Sequence, residues 1–291
     1  MTISKRRDVS RYPRTQTVFP SFEDFLETEH LPTEIITIDG AQPLDIFYLP
    51  TGSKTTVVSF HAAIAGQDAV LPMFSGFKVT QDHSPNQIFI SDPGLLASDD
   101  LTIGWFSGTD SLPLQTLLPK VLAKLIEQAG GTRTLFWGPS AGGFAALFYS
   151  KYFPGSLAVP VNPQTILANF NEIHQKLYTH AAFGADSDEA HSEVFSKTLC
   201  TDLRLHYRGE TPNYILYVQN ETDPHVELHM EPFLSSLHSL ERVKKIWGNW
   251  GEGHVAPTSE QLREIISSVT NPELDWDLHF SNPDYSRRRF A

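Results

Sequence analysis

A serine lies between glycines, Gly138-Pro139-Ser140-Ala141-Gly142, where an apolar run ending at Trp137 gives way to small residues. The pattern is G-x-S-x-G with strand-forming residues before it and a helix-forming stretch after it. That is the setting in which a sharp turn lifts a nucleophilic hydroxyl clear of a sheet. Such a turn leaves no room for Cβ atoms two residues either side of the serine, which accounts for both glycines. Gly143, Ala145 and Ala146 let the following helix pack closely, and its first N–H groups can face an oxyanion. The pentapeptide alone arises by chance about 0.1 times in a chain of this length, so its setting carries the reading.

A serine hydroxyl needs a base within hydrogen-bond reach, itself oriented by an acid. Downstream, the strand "YILYVQN" runs into "ETDPHVELH", where Asp223 follows by a two-residue turn and Pro224 keeps it extended. Glu221 is the principal competitor, and an Asp-Pro loop turn is the bland alternative. The last core strand, "VKKIWGNW", runs into "GEGHVAPTSEQL". Gly248, Gly251 and Gly253 free this loop to bring His254 over the serine. Of the twelve histidines it is the one at the end of a final core strand.

The elements that must position these residues read as an α/β chain. "EIITID" and "LDIFYLP" flank the turn Gly40-Ala41-Gln42-Pro43 as an antiparallel hairpin. Strands follow in "TTVVSFHAA", "QIFISDP", "LTIGWF", "RTLFWG", "LAVPVN", "YILYVQN" and "VKKIWG", several of them continuous apolar runs suited to a sheet covered on both faces. Helical patterns alternate with them: "PLQTLLPKVLAKLIEQAG", "SAGGFAALFYSKYF", "EPFLSSLHSLE" and "PTSEQLREIISSV". The alternation predicts a mostly parallel, doubly wound sheet in a single domain over 1–291. Residues 1–30 read as an N-terminal arm with a short helix in "FEDFLETEH", and 272–291 as a C-terminal tail. The 49 residues from Thr165 to Asn213 show helical stretches without a strand, too long for an ordinary connection, and read as a small cap insertion.

The order Ser140, Asp223, His254, with gaps of 83 and 31 residues, together with this architecture, resembles the α/β-hydrolase superfamily over roughly residues 34–270. The resemblance implies Ser140 as nucleophile, His254 as general base and then acid, and Asp223 as the orienting carboxylate. It implies an oxyanion hole from the N–H of Ala141 and a second N–H after the third strand. There many members carry His-Gly and this chain has His61-Ala62-Ala63, so Ala63 or Ala62 would supply it, with His61 structural beneath the site. The implied activity is a serine esterase acting through an acyl-enzyme, a short-chain acyl esterase or deacetylase on a polar substrate such as a glycan ester. An acyltransferase would use the same triad with an alcohol acceptor. "VNPQT" at 161–165 is similar to hydrolase-like proteins of bacterial glycan assembly and secretion, which keeps a non-catalytic binding or assembly factor as the other alternative.

Composition narrows the field. Twenty-two Lys and Arg against 34 Asp and Glu, a formal charge of −12, argue against nucleic acid as a partner. The basic runs Lys5-Arg6-Arg7 and Arg287-Arg288-Arg289 read as solvated tails. The lone Cys200 leaves no disulfide and no cysteine cluster for zinc, and points to a reducing, cytoplasmic setting. No apolar run approaches a membrane span. "HVELH" spaces His225 and His229 four apart, but Val226 stands where the zinc-protease pattern needs Glu; no metal is expected. "GPSAGG" lacks the dinucleotide spacing and no P-loop is present, so no cofactor is expected either.

Overall fold

In the computed structural model, which describes residues 6–64, 69–281 and 289–290, ten strands form one sheet. They are β1 Gln16–Phe19, β2 Glu34–Ile38, β3 Leu44–Leu49, β4 Thr55–Phe60, β5 Asn86–Ile90, β6 Arg133–Pro139, β7 Leu157–Val161, β8 Tyr214–Asn220, β9 Val243–Gly248 and β10 Arg289–Phe290. Their order across the sheet is β1-β2-β3-β5-β4-β6-β7-β8-β9-β10. The β2–β3 and β3–β5 pairs are antiparallel and the rest parallel, so the expected hairpin is present at one side of a mostly parallel sheet.

Alternate side chains of one strand feed two separate cores. Phe136 of β6 and Ile215 and Tyr217 of β8 pack in one; Leu135, Trp137, Leu216 and Val218 pack in the other. Each core is closed by helices, Leu114–Ala129 and Ala141–Ser150 on the first face and Ser259–Thr270 on the second. This two-sided burial is why the central strands are apolar throughout. Gly130, at φ +71°, ends the first of these helices, and a reciprocal Thr258–Gln261 capping box starts the last.

The parallel strands β6, β7, β8 and β9 all point the same way, so the segments after them open on one edge of the sheet. Ser140 follows β6, Asp223 follows β8 and His254 follows β9.

Three expectations need correction. "LTIGWF", 101–106, is a loop and not a strand. Its apolar side chains are buried, but Trp105 and Phe106 take φ of +52° and +54°, outside any strand. The N-terminal segment also contributes the edge strand β1. Arg6 and Arg7 are not solvated: Arg6 is buried and donates to the carbonyls of Ala69, Asp99 and Leu101, and Arg7 makes two 2.7 Å bonds to Asp45. Lys5, Arg287 and Arg288 lie outside the described residues.

Residues 165–213 hold the helices Glu172–Phe183, Asp188–Glu193 and Leu203–His206, a π-helical turn Val194–Thr198, and a single bridge between Ile166 and Asp202. Among the described residues no helix is long and apolar enough to cross a membrane.

Candidate active site

Ser140 sits between β6 and the helix Ala141–Ser150 with φ +53° and ψ −113°, a backbone conformation that a residue with a side chain rarely adopts. The crowding around it explains the glycines. A Cβ on Gly142 would lie 2.5 Å from the Phe60 carbonyl oxygen, and one on Gly138 would lie 2.5 Å from Gly142 backbone. On Gly143 it would meet Pro163 at 2.7 Å. The helix start is thus pressed against the end of β4 on one side and the segment after β7 on the other. The Ser140 N–H donates to Val161 O at 2.8 Å, tying the turn to β7.

Ser140, Asp223 and His254 come together. His254 Nε2 is 3.1 Å from Ser140 Oγ, and His254 Nδ1 is 2.6 Å from Asp223 Oδ2. A carboxylate only accepts, so Nδ1 carries the proton and Nε2 presents its lone pair to the hydroxyl. Asp223 Oδ1 accepts the His225 N–H at 2.9 Å. Burial pushes the Asp223 carboxyl up; the hydrogen bonds from His254 and the His225 N–H, with the nearby imidazoles, outweigh it and leave the pKa below its ordinary value. Glu221 is exposed, and its backbone N–H donates to Gly248 O at 3.0 Å.

The loop bearing His254 is fastened by β8. Asn220 Nδ2 donates to the carbonyls of Gly251 and Gly253 at 2.8 and 2.7 Å, and Asn220 Oδ1 accepts the Trp250 N–H. Thr222 Oγ1 adds a 2.7 Å bond to Gly251 O. Asn162, just past β7 at φ +43°, accepts the Asn220 N–H and donates to Val255 O.

Beneath the serine, His61 is buried and accepts the Asp92 N–H at Nε2, which leaves Nδ1–H to donate to Ala62 O at 2.7 Å. Burial lowers its pKa to about 4, so the ring is neutral. A trans peptide sets N–H and C=O on opposite sides, so this bond turns the Ala63 N–H away from His61. Ala141, at the first helical position, has an N–H with no intrahelical acceptor.

Asp223, His225 and His254 hold ligand-type atoms within 4.8 Å of one another. The 2.6 Å contact between His254 and Asp223 is shorter than the separation of about 3.3 Å between two donors in a tetrahedral zinc shell, so it fits a hydrogen bond better than a metal pair. His229 uses Nδ1 to accept the N–H groups of Thr165 and Ile166, and its ring packs edge-on against His225 at 4.5 Å.

Gln164, Asp92, Asn162 and Asn220 are polar groups at strand ends that spacing along the chain does not single out. A polar residue directly after an apolar strand, as in "VNPQT", "ISDP" and "VQN", is the signal that could have found them.

No protein-family profile and no curated protein matches the chain. Solved structures do. The capsule O-acetyltransferase of Neisseria meningitidis serogroup A superposes with a TM-score of 0.61 at 16% identity, over 84% of this chain and 98% of that one. Esterase B of Lactobacillus rhamnosis, in a tributyrin phosphonate structure, gives 0.53 at 12% identity over 91% and 94%. A Glycosylation Associate Protein complex of Streptococcus agalactiae gives 0.59 at 11% identity over 87% of this chain, which spans only 47% of that one. At such identities the likeness speaks for architecture: the chain has the α/β-hydrolase fold.

Proposed function

We propose that the protein is a serine acyl hydrolase working through an acyl-enzyme on a polar ester with a short acyl group. The observation that carries this is the continuous hydrogen-bond chain from Ser140 Oγ through His254 to the buried Asp223. In acylation the hydroxyl proton passes to His254 Nε2 as Oγ bonds to the acyl carbon, and the carbonyl oxygen takes the negative charge. The N–H of Ala141, at the helix start, and that of Ala63, turned by the His61–Ala62 bond, receive that charge. The intermediate collapses, His254 protonates the departing alkoxide, and Asp223 holds the imidazolium throughout. Water or an alcohol then attacks the acyl group with His254 as base.

The alcohol branch has a motive of its own. One structural relative is named a capsule O-acetyltransferase and has also been solved in complex with CoA, which makes a thioester donor and a polyol acceptor the natural second arm of the assay. The polar substrate follows from the segment 165–213, rich in His, Asp, Glu and Ser, read as a cap over Ser140. Its exposed large apolar residues, Ile173 and Leu177 on the helix Glu172–Phe183 and Leu205 on the helix Leu203–His206, are too few to line an alkyl tunnel. Phe60, Trp105 and Trp137 are buried core residues.

A fluorophosphonate should label the wild type at Ser140, and Ser140→Ala should abolish labelling while the protein stays folded. Intact-mass detection after incubation with acetyl to palmitoyl p-nitrophenyl esters and acetyl-CoA, with and without polyols, reads donor and acceptor together. A wild type that resists the probe would favour the binding-module alternative. A steep climb in kcat/KM with acyl length, at about 0.8 kcal/mol per buried CH₂, would overturn the short-chain assignment.

A further inference from the structure

Gln164, two residues past Asn162 after β7, is 1% exposed, and both ends of its side-chain amide are engaged. Oε1 accepts from the indole N–H of Trp105, and Nε2 lies 3.3 Å from Ser140 Oγ. An indole N–H only donates, so the amide has one orientation: its oxygen at Trp105 and its NH₂ at the serine. Trp105 is itself held. The next N–H in its loop, from Phe106, is bound by Asp92 Oδ2 at 2.9 Å, and the indole meets Phe170 and Tyr178 edge-on at 6.0 and 5.6 Å.

A serine hydroxyl offers one donor and two lone pairs. At Ser140 the proton faces His254 and one lone pair faces Gln164, so one lone pair is left free to attack. Building on the acyl-enzyme reading above, we infer that Gln164 is a further catalytic residue, donating a hydrogen bond to Ser140 Oγ that fixes the direction of attack and stabilises the oxygen as it leaves. During acylation the proton goes to His254 and the Oγ–carbon bond forms, while the Gln164 N–H keeps its own proton. During deacylation water or an alcohol gives its proton to His254 Nε2 as its oxygen bonds to the acyl carbon; the Oγ–carbon bond then breaks, its electron pair returns to Oγ, and His254 passes that proton to Oγ. Gln164 offers Oγ a donor at the moment its charge peaks. The segment 165–213 takes part at one remove, because Phe170 and Tyr178 hold the indole that holds the amide.

The test compares fluorophosphonate labelling rates and p-nitrophenyl acetate kinetics for wild type, Gln164→Met, Gln164→Glu and Trp105→Phe, with thermal melts to establish folding. Gln164→Met, similar in size but without a donor, should label about 10²-fold more slowly, the loss typical of one preorganised donor. Trp105→Phe frees the amide to rotate and should fall between that and wild type. Gln164→Glu gives the readout that a structural role would not move. Ionised, it presents an acceptor to Oγ and competes with His254 for the hydroxyl proton; protonated, it can donate again. The ratio of its rate to wild type should therefore rise as pH falls from 8 to 5.

Folded variants labelling within twofold of wild type, or a pH-independent Gln164→Glu ratio, would overturn the inference alone. An unlabelled wild type would instead sink the acyl-enzyme reading and this inference with it.

Discussion

At Asp223 the carboxylate has two engaged oxygens, one on His254 Nδ1 and one on the His225 N–H, and its side chain is wholly buried. Asp223→Asn keeps the shape but presents the imidazole with either a carbonyl or an NH₂, which lets the wrong tautomer form. The expected loss is on the order of 10⁴ in kcat, and Glu221→Gln, on an exposed side chain, should change it less than twofold. Steady-state kinetics on one p-nitrophenyl ester decides, and the reverse ranking would move the acid to Glu221. Replacement of His254 by Ala should remove nearly all turnover, because no other described imidazole touches Ser140 Oγ. At this scale the sequence was readable where chemistry imposes a local pattern. Ser140 needs glycines beside it, and its partners sit on loops just beyond apolar strands. Gln164 and Asp92 carry only the signal of polarity past an apolar strand, which does not reveal the neighbour each acts through: Trp105 for one, His61 and Phe106 for the other.

The turn at Ser140 and the loop of His254 are held by different means, and each makes its own prediction. Around Ser140 the constraint is space. Gly142→Ala would set a methyl 2.5 Å from the Phe60 carbonyl and should cost about 1–3 kcal/mol in chemical denaturation. Gly40→Ala, whose methyl would meet Gln42 O at an easy 3.8 Å, should leave the melt unchanged, and equal losses would sink the crowding argument. Around His254 the constraint is hydrogen bonding from Asn220. Asn220→Ala should leave the loop free to shift and slow labelling of Ser140 by about 10²-fold, the order expected for a misplaced base. Labelling at the wild-type rate would show that Thr222 and Asn162 hold the loop without Asn220. Most elements were legible from periodicity, because β6, β7 and β8 are buried on both faces and the helices Leu114–Ala129 and Ser259–Thr270 each carry one apolar stripe. Leu101–Phe106 was misread for a physical reason. Its apolar content reports burial, which is real, while its backbone is shaped by Asp92 and by left-handed residues 105 and 106. β1 was missed because a four-residue edge strand with one buried side chain leaves little pattern.

The sheet order belongs to the whole molecule, and so does its response to acid. That β3 pairs with β5 while β4 crosses to β6 depends on how crossovers pack, which no local pattern records. What the sequence could not reveal either is that this packing encloses neutral imidazoles. Burial, above all, lowers His61 and His206 to about 4 and His229 to about 3, against an ordinary 6.5. Each is depressed in the folded state, so the unfolded chain binds more protons below pH 6.5, and the stability each contributes is complete above that value and lost as pH falls toward 4. Asp92 runs the other way. Burial raises its carboxyl from 3.8 to about 6, so between those values the folded state binds the extra proton and gains stability as pH falls. His191 and His225 are lowered as well, so the depressed imidazoles outnumber Asp92 and the net sign is acid destabilisation, on the order of 2–3 kcal/mol for the enclosed His61 between pH 7 and 4.5. Urea unfolding at pH 7, 6, 5 and 4.5 should show a falling midpoint. His61→Gln, which can still accept from the Asp92 N–H and donate to Ala62, should flatten that fall while lowering stability at pH 7 only modestly. A midpoint independent of pH, or an unchanged slope in His61→Gln, would mean that these rings are protonated inside the fold or reach water, contrary to the enclosed, neutral His61 on which the orientation of the Ala63 N–H depends.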